Sequence, residues 1–368
     1  MRNLCLLYFF ALLVLNPLQA QKHLLDDQET RKIILDGLGS IYNFEFEKAE
    51  VAIQKVAEKY PVHPVVPMMK GLFIYWKYYP LTPENTHSDE FIEQMEKCMD
   101  QSKLRLEIDE KDIEGIFFDL FGRAFYVMYW ADNGKPRKVL PYLSRLYNHT
   151  VSGFDLKEEL NEFYFTTGLY NYYIEAYPEK HPGYKALTRW FKEGDKALGL
   201  KQLKYCANNS IFIKAEARFF LYLLFLNYEK DYERAIDPIK KLHETYPGNI
   251  LYLGEYIKIL LLNEDYEKVP YLLNTLKKSD YAFSQMQFHL YYAYYLEKKS
   301  GQYEKAKREY QKGLKISEKF DDFTETFRAY AYMGLGRYYA RKGNDSEARD
   351  YFDEAKDATS YEYVLNDR

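Results

Sequence analysis

Apolar residues recur at steps of three and four along almost the whole chain, and no stretch of useful length alternates between apolar and polar residues. The first spacing is typical of amphipathic helices, whereas alternation would indicate strands. The pattern therefore predicts an all-α protein. Turn signals divide it into helix pairs at roughly 28–59, 64–106, 112–149, 157–206, 210–245, 250–278, 281–317 and 322–358.

Two amphipathic runs near the end of the chain are separated by a turn at residues 342–345. The regularly spaced positions are Tyr332, Leu335, Gly336 and Tyr339 in the first run, and Ala348, Phe352 and Ala355 in the second. Small residues let two helix backbones approach closely, and bulky residues fill the gaps beside them. The spacing predicts a tightly packed pair of antiparallel helices.

The same spacing recurs upstream. Twelve residues separate Gly37 from Ala49, as they separate Gly336 from Ala348. An aromatic residue followed by two charged residues and a small or apolar one opens a second helix at Phe46, Tyr232, Tyr266 and Tyr303. With these residues the chain resembles the tetratricopeptide repeat family.

The resemblance implies a right-handed α-solenoid of stacked antiparallel helix hairpins, in which each hairpin covers the apolar face of the next. At about 34 residues per repeat the chain has room for about ten units. We expect a single domain at 21–368, with clear repeats at about 28–61, 215–249, 250–280, 284–318 and 325–360 and degenerate repeats over 64–206. Loops at 80–88 and 177–183 lengthen two connections and are either surface drift or part of a binding face.

Residues 1–20 have the composition of a cleavable export signal. Arg2 precedes an apolar run from Leu4 to Leu15, which is too short to span a bilayer comfortably. We expect cleavage before Gln21, and the absence of a cysteine there disfavours lipidation. The expected product has no integral membrane segment and is located in the periplasm or at the cell surface of a Gram-negative bacterium.

Charge disfavours one class of partner. The 51 basic and 55 acidic residues are interspersed, and the net charge is −4. A nucleic-acid-binding protein usually has a basic patch or stripe, which this sequence lacks. We therefore expect a protein or peptide partner and no nucleic acid.

Only Cys98 and Cys206 remain after removal of the expected export signal. Two cysteines are too few for a disulfide framework, and their separation does not match a zinc site. We favour two buried, unpaired thiols, although pairing in an oxidising compartment remains an alternative.

The sequence contains no recognisable catalytic motif. The seven histidines are isolated, and no nucleotide-binding glycine motif or Gly-x-Ser-x-Gly sequence occurs. These observations predict a protein that is not an enzyme and uses neither a cofactor nor a metal. A deep pocket with several carboxylates or histidines would revive an enzymatic role.

Tyrosine is unusually frequent, with 39 residues in 368. Tyrosine rings can fill the wide gaps of a solenoid, or they can form a contact surface with a partner. In an exported protein the exposed rings also suggest an alternative function, carbohydrate binding through residues such as Tyr78 and Tyr79. Packing explains most single tyrosines, and some exposed ring contacts are expected.

In the resembled family the first helix of each hairpin lines a concave groove. Where the registers match, the resemblance implies a binding face for an extended peptide or a protein helix, formed by Phe220, Leu224, Tyr228, Tyr294, Tyr330, Met333, Arg337 and Arg341. The polar clamp with which some family members hold chaperone tails is not carried over, because apolar residues such as Ile34 and Leu38 stand at its positions. The predicted function is that of a non-enzymatic interaction scaffold.

Overall fold

The computed structural model describes residues 24–185 and 191–367. The predicted export signal at 1–20 lies outside these residues, so the division into a signal and one domain at 21–368 stays a prediction. The described residues contain helices and no strands, which confirms the all-α prediction. The α-helices are α1 (Gln28–Tyr42), α2 (Phe46–Lys59), α3 (Val65–Lys77), α4 (Ser88–Ile108), α5 (Ile113–Asp132), α6 (Leu140–Leu156), α7 (Phe163–Lys180), α8 (Lys196–Asn209), α9 (Lys214–Leu224), α10 (Tyr232–Thr245), α11 (Ile250–Leu262), α12 (Val269–Lys277), α13 (Ala282–Lys298), α14 (Tyr303–Ser317), α15 (Glu325–Arg341), α16 (Asp345–Ala358) and α17 (Glu362–Leu365).

Helices α1 to α16 form eight consecutive hairpins within the described residues, and each helix packs against the next along the chain. The predicted solenoid of stacked hairpins is confirmed. There are eight units rather than ten because α4 and α5 are 21 and 20 residues long, and because long segments join α3 to α4 and α7 to α8. The short helix α17, which the periodicity does not predict, follows the last hairpin.

Acidic and amide side chains cap the N-termini of many of these helices. The carboxylate of Asp27 accepts from the Thr30 amide at the start of α1, and Asp231 caps α10 through the Arg234 amide in the same way. Such caps satisfy amide groups that have no partner in the first helical turn. Local sequence therefore fixes where the hairpin helices begin.

The turn inside most hairpins contains one residue with a left-handed backbone. Three of these residues are glycines, and three carry side chains: Gly134, Gly301 and Gly343 have φ angles of 66°, 62° and 74°, whereas Phe44, Lys230 and Glu264 have φ angles of 60°, 54° and 58°. A left-handed residue after a helix reverses the chain within a few residues. The repeated turn geometry keeps the two helices of each hairpin antiparallel.

Glycines lie where the predicted close crossings require them. A Cβ atom on Gly37 would lie 2.8 Å from the Ala52 Cβ, and one on Gly336 would lie 2.5 Å from the Phe352 ring. The two helices of each hairpin could not pack this closely with larger residues. The small-residue pattern thus has the structural role that the sequence indicates.

Two local predictions were wrong. Tyr266 does not begin a helix: α12 starts at Val269, where Pro270 suits the first helical turn because it lacks an amide hydrogen. The expected loop at 177–183 begins only after Lys180, since α7 continues through Pro178.

One apolar core extends from Leu24 to Val364, and a second, smaller cluster surrounds Phe91 in α4. Cys98 and Cys206 are buried and unpaired. The favoured prediction for the two cysteines is therefore confirmed.

The first hairpin also contacts segments that lie far away in sequence. The Asn249 side-chain amide donates to the Tyr42 carbonyl (2.8 Å), and the Gly248 amide donates to the Asn43 side chain (2.8 Å). These bonds connect the end of α1 to the start of α11. The superhelix therefore curls back on itself, and the first helices of the C-terminal hairpins face other parts of the same chain.

Candidate functional site

Five of the eight residues predicted to bind a partner are buried. They are Leu224 (0% exposed), Met333 (2%), Tyr330 (5%), Tyr294 (6%) and Arg337 (6%). The resemblance implies an open concave face, but these side chains pack within the chain: the Tyr294 ring lies 5.3 Å from the Tyr330 ring, and Arg337 is paired with Glu297. They are packing residues, so the prediction that they line an open binding face is wrong.

The other three predicted residues are at least partly accessible but do not form one surface. The ring of Phe220 lies edge-on to Phe165 at 5.3 Å, and Tyr228 lies 5.2 Å from Tyr173. Arg341 is exposed and lies over the Tyr303 ring at 4.5 Å. A binding role for these three residues stays a prediction.

Aromatic rings of the first two hairpins cover one part of the inner face. Trp76 at the end of α3 lies 5.3 Å from Tyr252 in α11, and Tyr79 lies 5.3 Å from Phe283 in α13 and 5.5 Å from Phe323. Edge-to-face ring contacts of this kind add to the stabilisation from apolar burial. We call this set of rings the aromatic closure.

The aromatic closure explains part of the tyrosine excess. Tyr79 is one of its members, and burial raises the pKa of the Tyr79 hydroxyl well above its usual value. Tyr78 stacks on His87 with ring centroids 3.5 Å apart. Both rings therefore make contacts within the chain, and carbohydrate binding, which was suggested by the excess of tyrosine and tryptophan, stays a prediction.

A buried carboxyl lies beside the aromatic closure. The Tyr42 hydroxyl donates to Glu216 in α9. Burial raises the pKa of Glu216 to about 7 against the opposing effect of this hydrogen bond, and its second oxygen has no hydrogen-bond partner among the described residues. The contact between hairpins 1 and 5 therefore includes a costly ionisable group.

A second part of the inner face is covered by residues 359–367, here called the tail. It contains α17 and contacts α15 as well as the turn after α9. Glu362 forms an ion pair with Lys230, and Lys230 lowers the pKa of Glu362. This ion pair connects the end of the chain to the fifth hairpin.

The far end of the tail is held by a network of charges. Asp367 forms an ion pair with Lys298 in α13, and its carbonyl accepts from the Arg337 guanidinium. Arg337 donates two hydrogen bonds to Glu297, at 2.7 and 2.8 Å, and the Tyr310 hydroxyl donates to the same carboxylate at 2.9 Å. The tail thus completes a buried charged cluster.

The two tyrosines of the tail lie on either side of Glu362 in the sequence. Tyr361 and Tyr363 stack on each other with centroids 5.6 Å apart, and the Lys258 ammonium lies 5.8 Å from the Tyr363 ring. Burial, followed by the charge of Glu255, raises the pKa of Tyr363. Burial and then the charge of Asp132 raise the pKa of Tyr361.

A π-helical turn shapes the groove beneath the tail. The segment Phe225–Glu229 extends α9 by a wider turn, and Lys230 follows with a left-handed backbone. The turn brings Tyr228 beside α7 and Lys230 to Glu362. We define the inner groove by Tyr228, Lys230, Lys258 and Lys298, with the buried Arg337 beneath it.

Sequence reasoning missed the tail and the inner groove. The missed residues in the tail are Tyr361, Glu362, Tyr363 and Asp367, and those in the groove include Lys230, Lys258 and Lys298. One signal was available: alternating aromatic and acidic residues, followed by Val364-Leu365, continue beyond the last expected helix. A solvated chain end would not need this apolar content.

Buried charged clusters elsewhere are already paired. Arg105 forms two hydrogen bonds of 2.9 Å with Asp112 and an ion pair of 2.9 Å with Glu114, and Glu114 also lies 3.1 Å from His63. Such pairing satisfies the groups and leaves no free nucleophile or base. This cluster joins the second and third hairpins.

Two surface clefts add no catalytic constellation. One of about 390 Å³ lies between α1 and residues 209–215, and its lining has no carboxylate or histidine. The other, of about 730 Å³, lies beside Arg341 and contains one carboxylate, Glu304, which is paired with Lys342 at 2.7 Å. Neither cleft is lined by several carboxylates or histidines.

Within 24–185 and 191–367, no cluster of three or more His, Cys, Asp or Glu side chains could hold a metal ion. None of the helices described there combines the length and apolarity needed to cross a bilayer.

Comparisons with known proteins give only distant similarities. No protein-family model matches the chain, and no curated protein matches it either. Solved structures that resemble it include yeast Tom70, at 10% identity and a TM-score of 0.36, covering 93% of this chain and 88% of that one. The human IFIT1 dimer with PPP-AAAA has 12% identity and a TM-score of 0.35, with coverage of 91% and 95%. At these scores the similarities carry no argument about function, and the tetratricopeptide-like fold is established by the hairpins themselves.

Proposed function

We propose that the protein is a non-enzymatic scaffold that binds a protein or peptide segment in the inner groove. The supporting observation is that the groove already holds a short peptide segment, its own tail, by ion pairs at Lys230 and Lys298 and by the stacked rings of Tyr361 and Tyr363. Charged pairs provide orientation and specificity, whereas the rings provide buried apolar area. A partner segment would use the same two kinds of contact.

The test is affinity purification of the protein from its native envelope, followed by identification of the proteins recovered with it. The variant Lys230→Glu/Lys298→Glu reverses two partly exposed charges of the groove, so we expect loss of the partner with retention of the helical circular dichroism spectrum. Lys201→Glu, at an exposed position on α8, is the matched control for charge. If the double variant recovers as much of the partner as the wild type does, binding in the groove is contradicted.

We further propose export to the periplasm or cell surface of a Gram-negative bacterium. The support is the composition of residues 1–20, a short apolar run after Arg2 that ends in Pro-Leu-Gln-Ala. Mass spectrometry of the protein recovered from the envelope should give a new N-terminus near Gln21. An intact Met1 on protein confined to the cytosolic fraction would contradict export.

A further inference from the structure

We propose that the tail is a built-in competitor, and that the partner segment has the chemistry of the tail: a carboxylate between two aromatic residues, followed by a second carboxylate a few residues later. This inference rests on the proposed function of the inner groove. It adds the chemical class of the ligand and a device that limits binding until a matching segment displaces the tail.

Charge complementarity identifies the carboxylates. Within the described residues, the carboxylate partner of Lys230 is Glu362, and that of Lys298 is Asp367. The neighbouring groove acids have cations of their own, since Glu255 pairs with Lys258. Displacement of the tail would therefore leave two lysines in the groove without an ion pair, which favours an acidic replacement.

The surroundings of the tail tyrosines identify the aromatic residues. Tyr361 stacks on Tyr363 with ring centroids 5.6 Å apart, and helix α17, which begins at the next residue, contacts the π-helical turn that contains Tyr228. The Lys258 ammonium lies 5.8 Å from the Tyr363 ring and 5.8 Å from the Tyr222 ring. A partner without rings would leave these aromatic surfaces uncovered.

The tail is held by contacts that can be exchanged. Helix α17 has only four residues, too few for independent helix stability. The side chains of Lys230 and Glu362 are 50% and 45% exposed, so their ion pair is screened by water and salt. The attachment of the tail at Ala358 keeps its local concentration high, and Val364, which is buried, adds apolar contact.

This tethering sets the size of the expected effect. A short connection gives an effective concentration on the order of 1 mM. A free segment binds only those grooves from which the tail is absent. Its apparent affinity is therefore its intrinsic affinity multiplied by the fraction of open grooves. If the tail as a separate peptide binds the groove with a Kd of about 100 µM, the tethered tail leaves about one groove in ten open. The apparent affinity of a free segment then falls about tenfold.

The experiment uses a fluorescein-labelled peptide with the sequence of residues 359–367 and measures its fluorescence polarisation with the full chain. The tail-release variant Glu362→Lys/Asp367→Lys keeps the tail length but repels it from the groove. We expect the peptide to bind this variant at least tenfold more tightly than the wild type, and binding should weaken between 50 and 500 mM salt. Circular dichroism and thermal melting establish that the variant is folded.

Two further proteins make the result specific. Adding Lys230→Glu and Lys298→Glu to the tail-release variant restores complementary charges within the chain, so the peptide should no longer bind. Adding Lys201→Glu instead should leave peptide binding unchanged. Equal peptide affinity for the wild type and a folded tail-release variant would overturn the proposal, as would absence of binding to both.

The outcome separates this inference from the proposed function. If Lys230→Glu/Lys298→Glu loses an envelope partner but the peptide does not bind the tail-release variant, the groove is a binding site and the inference about its ligand fails. If the peptide binds as expected but no envelope protein depends on the groove, the self-contact is real and the scaffold function fails.

Discussion

The inner face of the superhelix is covered at two places by different chemistry. The aromatic closure consists of rings such as Trp76 and Tyr252, whereas the tail is attached through ion pairs such as that between Glu362 and Lys230. Ring packing excludes water and is little affected by salt, but half-exposed ion pairs are weak and screened. The difference indicates a permanent contact at the closure and an exchangeable one at the tail.

The deepest part of the tail contact is an exception, since Arg337 is only 6% exposed and paired with Glu297. Arg337→Ala would leave the Glu297 carboxylate buried with one partner fewer, so we expect the free energy of unfolding to fall by about 4 kcal/mol. Urea denaturation at pH 7 measures this change in the free energy of unfolding. Arg341→Ala, one turn later on the same helix and exposed, should change it by no more than about 0.5 kcal/mol. Similar losses for both variants would show that burial of the pair does not matter.

Removing a ring from the aromatic closure should have the next largest effect. Trp76→Ala should lower the free energy of unfolding by about 3 kcal/mol, because it leaves a cavity among several rings. The loss should be the same at 50 and 500 mM salt. Tyr271→Ala removes a ring that is 76% exposed and should have little effect. A strong salt dependence for Trp76→Ala would contradict the assignment of this contact to apolar packing.

The buried carboxyl beside the closure predicts a dependence on pH. The pKa of Glu216 rises from its ordinary value of 4.5 to about 7 in the folded state, so the folded state retains a proton that the unfolded state has lost. Stability therefore falls as the pH rises from about 4.5 to 7. Glu216→Gln removes this penalty and should raise the free energy of unfolding at pH 8 by about 2 kcal/mol, with little change at pH 4.5.

Melting curves across this pH range provide the check on Glu216→Gln. The amide oxygen of the glutamine can still accept from the Tyr42 hydroxyl, so the wild type and the variant both have this hydrogen bond. A gain that is equal at pH 4.5 and pH 8 would contradict the buried charge as its cause.

The smallest predicted effects concern two glycines with open space around them. Gly343 has a φ angle of 74° in a hairpin turn, and Gly39 lies inside α1. A Cβ atom on either would meet no heavy atom within 4 Å. Gly343→Ala should destabilise the fold by about 1 kcal/mol through backbone strain, whereas Gly39→Ala should stabilise it by about 1 kcal/mol through helix propensity. Thermal melting should give shifts of opposite sign, and shifts of the same sign would contradict the turn geometry.

The hairpins were predictable from the sequence because their determinants are local. Gly336 and Ala348 are twelve residues apart, and the helix pair they join is specified by spacing, caps and turn residues within about thirty positions. The sequence therefore predicted the fold class and the helix pairs. The start of α12 was mispredicted because Pro270 outweighs the resemblance of Tyr266 to a repeat position.

The site was not predictable in the same way because it depends on contacts across long sequence separations. Whether Arg337 faces a partner or the interior is decided by where the tail comes to lie, 30 residues further along the chain. Amphipathic spacing looks the same for a helix face that binds a partner and for one that binds its own chain. The alternating rings and acids of the tail were the one local sign of self-contact.

The central claim is that the tail occupies the inner groove, and photo-crosslinking tests it most directly. Tyr361 would be replaced by the photoreactive residue p-benzoylphenylalanine, and the irradiated protein digested and examined by mass spectrometry. The account predicts crosslinks from position 361 to Phe163–Lys180 or to the π-turn Phe225–Glu229, and their reduction when Lys230→Glu is also present. Crosslinks confined to the adjacent helix Asp345–Ala358 would contradict it.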